Sequence, residues 1–172
     1  MSALTSTEKV VAVNGNMITV EFSDRVMQNE VAFAKVGDAR LKCEVIRVRG
    51  NRADLQVFES TNGLAVGDEV EFTGELLSIE LGPGLLSKVY DGLQNPLNLL
   101  AEKSGFFLQR GVYLRALDRS VLWDFTPSVK AGDKVVAGDR IGSVPEGIIK
   151  HYIMIPFHLR GEFVIKEIKE AG

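Results

Sequence analysis

His151 and His158 are the only histidines in the chain, seven residues apart with Pro156 between them. Two imidazoles grip a metal from one helix face when spaced as in HExxH, and a third ligand must join them. Neither condition is met, so the pair reads as surface or strand-end histidines, not as metal ligands or a general base. Cys43, the one cysteine, alternates with Leu41 and Val45, the pattern of a small buried hydrophobe rather than a nucleophile. Alone, it closes no internal disulfide and supports no cysteine-cluster metal site. Carboxylates are plentiful, Asp54, Asp118 and Asp124 among them, but no pair is spaced to divide the roles of general acid and base. The chain has no Gly-Lys dipeptide, hence no GxxxxGK[ST] loop, and no GxGxxG. Gly82-Pro83-Gly84 is the nearest approach to a phosphate cradle, yet Pro83 lacks an N–H where a phosphate wants one. It reads as a structural turn. No catalytic, cofactor-binding or metal-ligating residue is nominated, and the chain is not expected to be an enzyme by itself.

Composition narrows the classes further. The chain has 172 residues, enough for one ordinary domain or two small ones. It is 45% apolar and 25% charged, the profile of a folded protein. Its net charge of −3 offers no general attraction to nucleic acid or an anionic membrane. No apolar run approaches the ~18–20 residues of a spanning helix, and the N-terminus has no basic-then-apolar signal. These features point to a cytosolic protein without direct membrane insertion.

The elements that must position any functional surface are mainly β. Lys9 to Val13 and Met17 to Phe22 flank Asn14-Gly15-Asn16, a hairpin turn signal. Val31 to Val36, Leu41 to Arg49, Ala53 to Phe58 and Glu69 to Phe72 follow, separated by Gly37-Asp38, Gly50-Asn51, Thr61-Asn62-Gly63 and Gly67-Asp68. Short strands at this spacing predict a small antiparallel barrel over residues 1–74, closed so that no edge is left to pair with a neighbour. A linker over 75–105 is expected to carry a short helix at Leu85 to Leu93, closed by Asn95-Pro96, with Leu97 to Lys103 as one more turn. From Phe106 β character returns, giving a second β-rich lobe over 106–172. Val129-Lys130-Ala131-Gly132-Asp133 is echoed at once by Val135-Val136-Ala137-Gly138-Asp139. Arg140 to Val144, His151 to Ile155 and Gly161 to Ile168 read as further strands, and the Lys166-Glu167, Lys169-Glu170 alternation as a solvated tail.

Three segments together resemble the catalytic A subunit of V-type and archaeal-type rotary ATPases. The first is Ala12-Val13-Asn14-Gly15, then Leu41 to Val48, leading through Gly50 to Gln56-Val57-Phe58-Glu59-Ser60-Thr61-Asn62-Gly63-Leu64, similar to that family's six-stranded N-terminal barrel. The second is Leu81-Gly82-Pro83-Gly84-Leu85-Leu86 with Tyr90-Asp91-Gly92-Leu93-Gln94-Asn95-Pro96-Leu97, where the family usually has arginine in place of Asn95. The third runs from Arg110-Gly111-Val112 through Leu117-Asp118-Arg119 and Trp123-Asp124-Phe125-Thr126-Pro127 to Gly142-Ser143-Val144-Pro145-Glu146. It resembles the insertion that sets the A subunit apart from its noncatalytic partner.

The resemblance implies a division of labour. Family members are several times longer, and their P-loop, catalytic glutamate and C-terminal helical domain follow the segment present here. The chain therefore resembles a truncated N-terminal piece, with no cofactor of its own; ATP and Mg belong to the full-length subunit. The barrel is expected to pair with the B subunit and other A subunits in a ring, and the lobe to meet the peripheral stalk. The whole would sit in the cytoplasmic head, peripheral to the membrane, coupling ATP hydrolysis or synthesis to proton or sodium transport. Trp123, Phe125 and the Gly132–Gly142 hairpins are expected to build the lobe's core, with Gly138-Asp139-Arg140 as an exposed turn. The alternative is a biotinyl- or lipoyl-like carrier, or another β-barrel binding module. Carriers present a modified lysine at a hairpin tip, and Lys150 lacks the Met-Lys-Met or Asp-Lys-Ala setting. A nucleic-acid-binding barrel would interleave aromatic residues with Lys and Arg, which this chain does not do.

Overall fold

A computed structural model of the chain describes residues 7–105 and 107–172. Residues 1–6, read above for a signal sequence, and Phe106, where β character was expected to resume, lie outside the described residues. By contact the described residues form two compact units, those within 1–79 and 97–114, and those within 80–96 and 115–172.

The first unit is built on a closed antiparallel barrel. Its strands are β1 (Thr7–Asn14), β2 (Met17–Glu21), β3 (Glu30–Val36), β4 (Ala39–Arg49), β5 (Arg52–Val57) and β6 (Glu69–Leu76). They run in the order β1-β2-β5-β4-β3-β6, and β6 pairs back onto β1 to close the cylinder. Period-two alternation makes this possible: Leu41, Cys43 and Val45 point inward from β4 while Lys42 and Glu44 point outward. Small residues (Ala32, Ala34 and Ala53, all fully buried) let the narrow cylinder fill without voids. Gly15 and Gly50 open two of the hairpin turns with φ of 61° and 59°, a left-handed conformation costly for residues with a Cβ. Glu30 is the exception in this interior. Only 1% exposed, its carboxylate accepts the Met27 amide at 2.9 Å and the Gly74 amide at 2.7 Å, tying the loop before β3 to the irregular end of β6.

The same unit includes α1 (Leu97–Ser104) and the segment up to Leu114. The Lys42 amide donates to the Tyr113 hydroxyl at 2.6 Å, and the Tyr113 ring meets Phe33 edge-on at 6.0 Å. Arg110 donates to the Ser60 and Asn62 carbonyls, and the Gly111 amide to Glu59. A Cβ on Gly111 would come within 3.2 Å of the Arg40 backbone, so this close approach requires glycine.

The second unit holds short strands: β7 (Thr126–Pro127), β8 (Lys134–Val135), β9 (Arg140–Glu146), β10 (Ile149–Met154) and β11 (Phe163–Val164). They form a three-stranded sheet, β10-β9-β7, and a β11-β8 pair. The sequence echo is structural. Asp133 accepts the Lys130 amide and Asp139 the Val136 amide, each turning its four-residue segment. Each turn then docks on an apolar residue: Gly132 and Asp133 exchange backbone bonds with Ile165, and Gly138 and Asp139 with Ile155. Ala65-Val66-Gly67-Asp68 repeats the device in the barrel, against Val10.

Three sequence expectations need correction. Leu85 to Leu93 is not a helix; the helix begins after Pro96, which fits a first turn but cannot continue one. Ser87 and Gln94 are left-handed (φ 61° and 63°), and Asp91 folds Tyr90–Pro96 into a loop by accepting the Leu93 and Asn95 amides. Gly161 to Ile168 contributes only the two residues of β11 to a sheet. Trp123 and Phe125 are half-buried rather than central. Each packs on a glycine: a Cβ on Gly84 would lie 3.4 Å from Trp123, and one on Gly142 only 2.2 Å from the Phe125 ring. The buried residues of this unit are smaller or polar, Ala116, Val135, Ser143, Val144 and Glu146 among them.

Candidate functional site

Among the described residues, no hydrogen bond or ion pair joins Cys43, Asp54, Asp118, Asp124 or His158 to one another. Cys43 is fully buried in the barrel, and burial first of all pushes its thiol up to about 12, so it is held as an inert thiol. On the barrel, Asp54 accepts Thr19 and Arg49 at 3.0 and 2.6 Å, bonds that outweigh its burial and hold its carboxyl below the usual range. Asp118 bonds the Ser120 hydroxyl and amide in a local turn, which lowers its carboxyl too. Asp124 and His158 are exposed. Among the described residues, no three His, Cys, Asp or Glu side chains group to hold a metal ion.

One polar centre does organise its surroundings, and sequence reasoning passed over it. Glu146, at the end of β9, is 7% exposed. Its Oε1 accepts the Gly84 amide at 2.6 Å and the Leu86 amide at 3.1 Å, while Oε2 meets His151 Nδ1 at 2.7 Å. Burial alone would raise this carboxyl; the Leu86 and Gly84 amides and the His151 ring outweigh it and hold it below the usual carboxylate range. Gly82-Pro83-Gly84 leads into a pair of converging amides, the geometry that binds anions. The anion is the chain's own carboxylate. These residues consequently do not fit a nucleotide phosphate, because the donors it would need are already bonded to Glu146. The one available signal was an acidic residue ending the otherwise uncharged run Ile141–Pro145.

His151 thus has a structural partner in Glu146, and His158 is not brought to it. Lys150 lies within β10, and the β9–β10 tip is Gly147-Ile148, with Ile148 fully exposed. That tip presents an apolar side chain where a carrier would present an amine. The barrel exterior carries paired charges: Lys35 bridges Glu69 and Glu71, and Arg40 joins Glu71 at 2.7 Å. The Lys35 bond first, and Arg40 after it, hold the Glu71 carboxyl below its usual range. Exposed pairs of this kind stabilise little, at most about 1 kcal/mol each. Among the described residues no helix is long and apolar enough to cross a membrane.

Two family models match the chain. The β-barrel domain of the ATP synthase alpha/beta family matches residues 10–74, and the ATP synthase alpha/beta subunit barrel-sandwich domain matches residues 114–172. The chain is 60% identical over 170 residues to V-type ATP synthase alpha chain 1 of Treponema pallidum. It is 59% identical over 164 residues to the V-type ATP synthase alpha chain of Treponema denticola and 58% identical over 164 to that of Borreliella afzelii. These alignments cover 98%, 95% and 95% of the chain, but only 29%, 28% and 28% of the respective relatives. The chain spans less than a third of the length of the curated relatives it matches.

Proposed function

Because the chain belongs to the ATP synthase alpha/beta family, we propose that it acts as the N-terminal, non-nucleotide-binding portion of a V/A-type rotary ATPase A subunit, serving assembly. In this reading the barrel (residues 1–74) pairs with B subunits and other A subunits in the ring, residues 75–105 link, and the lobe (106–172) meets the peripheral stalk. The whole subunit uses ATP and Mg to couple hydrolysis or synthesis to proton or sodium transport, in a cytoplasmic head peripheral to the membrane. The observation that carries the reading is Glu146 bonded to the Gly84 and Leu86 amides at the Gly82-Pro83-Gly84 turn. In this reading the Gly82-Pro83-Gly84 turn serves as a structural joint, its amides taken by Glu146.

Co-expression with the B subunit of the same complex, followed by native mass spectrometry, tests the assembly half. The expected result is a heteromer of the two chains that full-length A subunit displaces. A chain that stays alone while full-length A and B subunits assemble beside it contradicts the reading.

A further inference from the structure

An apolar groove of about 640 Å³ runs along β10, walled on its other side by Leu81, Pro83 and Leu86. Its other wall is the unbroken run of residues 151–157, of which 151–154 belong to β10. Successive side chains of a strand point to opposite faces, so a groove touched by every residue follows the strand's edge rather than one face. That edge is the outer one: β10 pairs with β9 on one side only, in the order β10-β9-β7. An unpaired edge is a row of backbone donors and acceptors that templates another strand. Around it, Leu81 (77% exposed), Phe157 (76%) and Met154 (43%) form an apolar rim.

The charge beside the groove selects the occupant. The Arg140 guanidinium lies 4.1 Å from the Tyr152 ring centroid and the Lys150 ammonium 5.8 Å from it. Both cations lie on the ring of Tyr152, which lines the groove, and among the described residues neither has a carboxylate within ion-pair distance. The nearby carboxylate of Glu146 is held by its own bonds to Gly84, Leu86 and His151.

We propose that the outer edge of β10 is a strand-addition site for an extended, apolar, acidic segment of a partner polypeptide, whose carboxylates meet Arg140 and Lys150. The inference goes beyond the assembly reading and does not depend on it, since it concerns one face of the lobe and any partner of that chemistry.

The test uses the whole 172-residue chain, isotope-labelled for amide spectroscopy, and three fluorescent hexapeptides. One alternates Glu with Val and Ile, one alternates Lys with the same apolar residues, and one is the acidic peptide with proline at alternate positions. The expected result is saturable binding of the acidic peptide, with slowed hydrogen exchange at β10 amides, and little binding of the other two. The double variant R140E/K150E, which alters exposed side chains only, should weaken the acidic peptide roughly three- to tenfold and reverse the preference toward the lysine peptide. Leu81→Glu should weaken every peptide while leaving the melting temperature unchanged. Equal binding of the acidic and lysine peptides overturns the proposal. So does binding without protection of β10 amides, the signature of a helical occupant, or protection without any peptide, the signature of a second copy.

Discussion

Asp133 and Asp139, six residues apart, make the same hydrogen bond: each carboxylate Oδ2 accepts the amide three residues back, at 2.9 and 2.8 Å. Each aspartate's carbonyl then accepts the amide of an apolar residue, Ile165 or Ile155, at 2.9 Å. A six-residue echo in sequence thus becomes two equivalent joints. Asp68 makes a third in the barrel, with Ala65 and Val10.

Asp133→Ala or Asp139→Ala should each destabilise the lobe by about 1 kcal/mol, because a turn amide loses its acceptor. Asparagine keeps an oxygen in place, so Asp139→Asn should cost less than half as much. Urea denaturation followed by Trp123 fluorescence measures both.

Glu146→Ala should destabilise the lobe by about 2–3 kcal/mol, since it strands the Gly84 and Leu86 amides and the His151 ring together. Trp123, the only tryptophan, lies against Gly84, so its emission should report the loosened turn directly. An unchanged melting curve would remove Glu146 from the centre of this unit.

The pH dependence follows from the same carboxylate. Its folded pKa lies below the ordinary 4.5, so its stabilisation is fully present above that value. The stabilisation is lost as pH falls through the lower, folded value. Melting temperatures of the lobe between pH 7 and pH 2.5 should therefore drop in the acid range, and Glu146→Gln should flatten that part of the drop.

Phe125 rests on Gly142 so closely that no Cβ fits. Gly142→Ala should cost about 1–3 kcal/mol through displacement of the ring. Phe125→Ala alone should cost less than the ~3–5 kcal/mol of a fully buried phenylalanine. In the double variant the two costs should not add, because the alanine methyl then occupies space the ring has left. Calorimetric melting of the three variants decides it.

In the barrel, Cys43 provides a probe of opening. With its thiol near 12 and no exposed surface, it should resist thiol reagents at pH 8. Leu55→Ala, which removes a fully buried side chain and costs about 2–5 kcal/mol, should accelerate its modification steeply. Rapid labelling of the unmutated chain would contradict a closed interior.

Much of this was legible in sequence because it is local. Alternation along Leu41–Val45 and turn pairs such as Gly50-Asn51 define strands and hairpins from a few neighbouring residues, and closing the six strands leaves no edge unpaired. What was not legible depends on residues far apart in the chain. Leu85, Leu86, Val89 and Leu93 have helical spacing, but Glu146, some 60 residues later, takes the Gly84 and Leu86 amides and imposes a turn. Tyr113 meets the barrel 71 residues from Lys42, with no local sign that it should. Trp123 and Phe125 carry the apolar bulk of core residues, yet the smallness of Gly84 and Gly142 lets them lie against backbone instead. Composition alone cannot distinguish a ring in a core from a ring lying on a glycine.

Calorimetric titration of the chain with ATP and Mg addresses the central claim most directly, because it asks whether a structure whose anion cradle is filled from within still takes a phosphate. The account predicts no saturable heat up to millimolar nucleotide and no phosphate release. Stoichiometric ATP binding at micromolar concentration, or turnover by the purified chain, would contradict it.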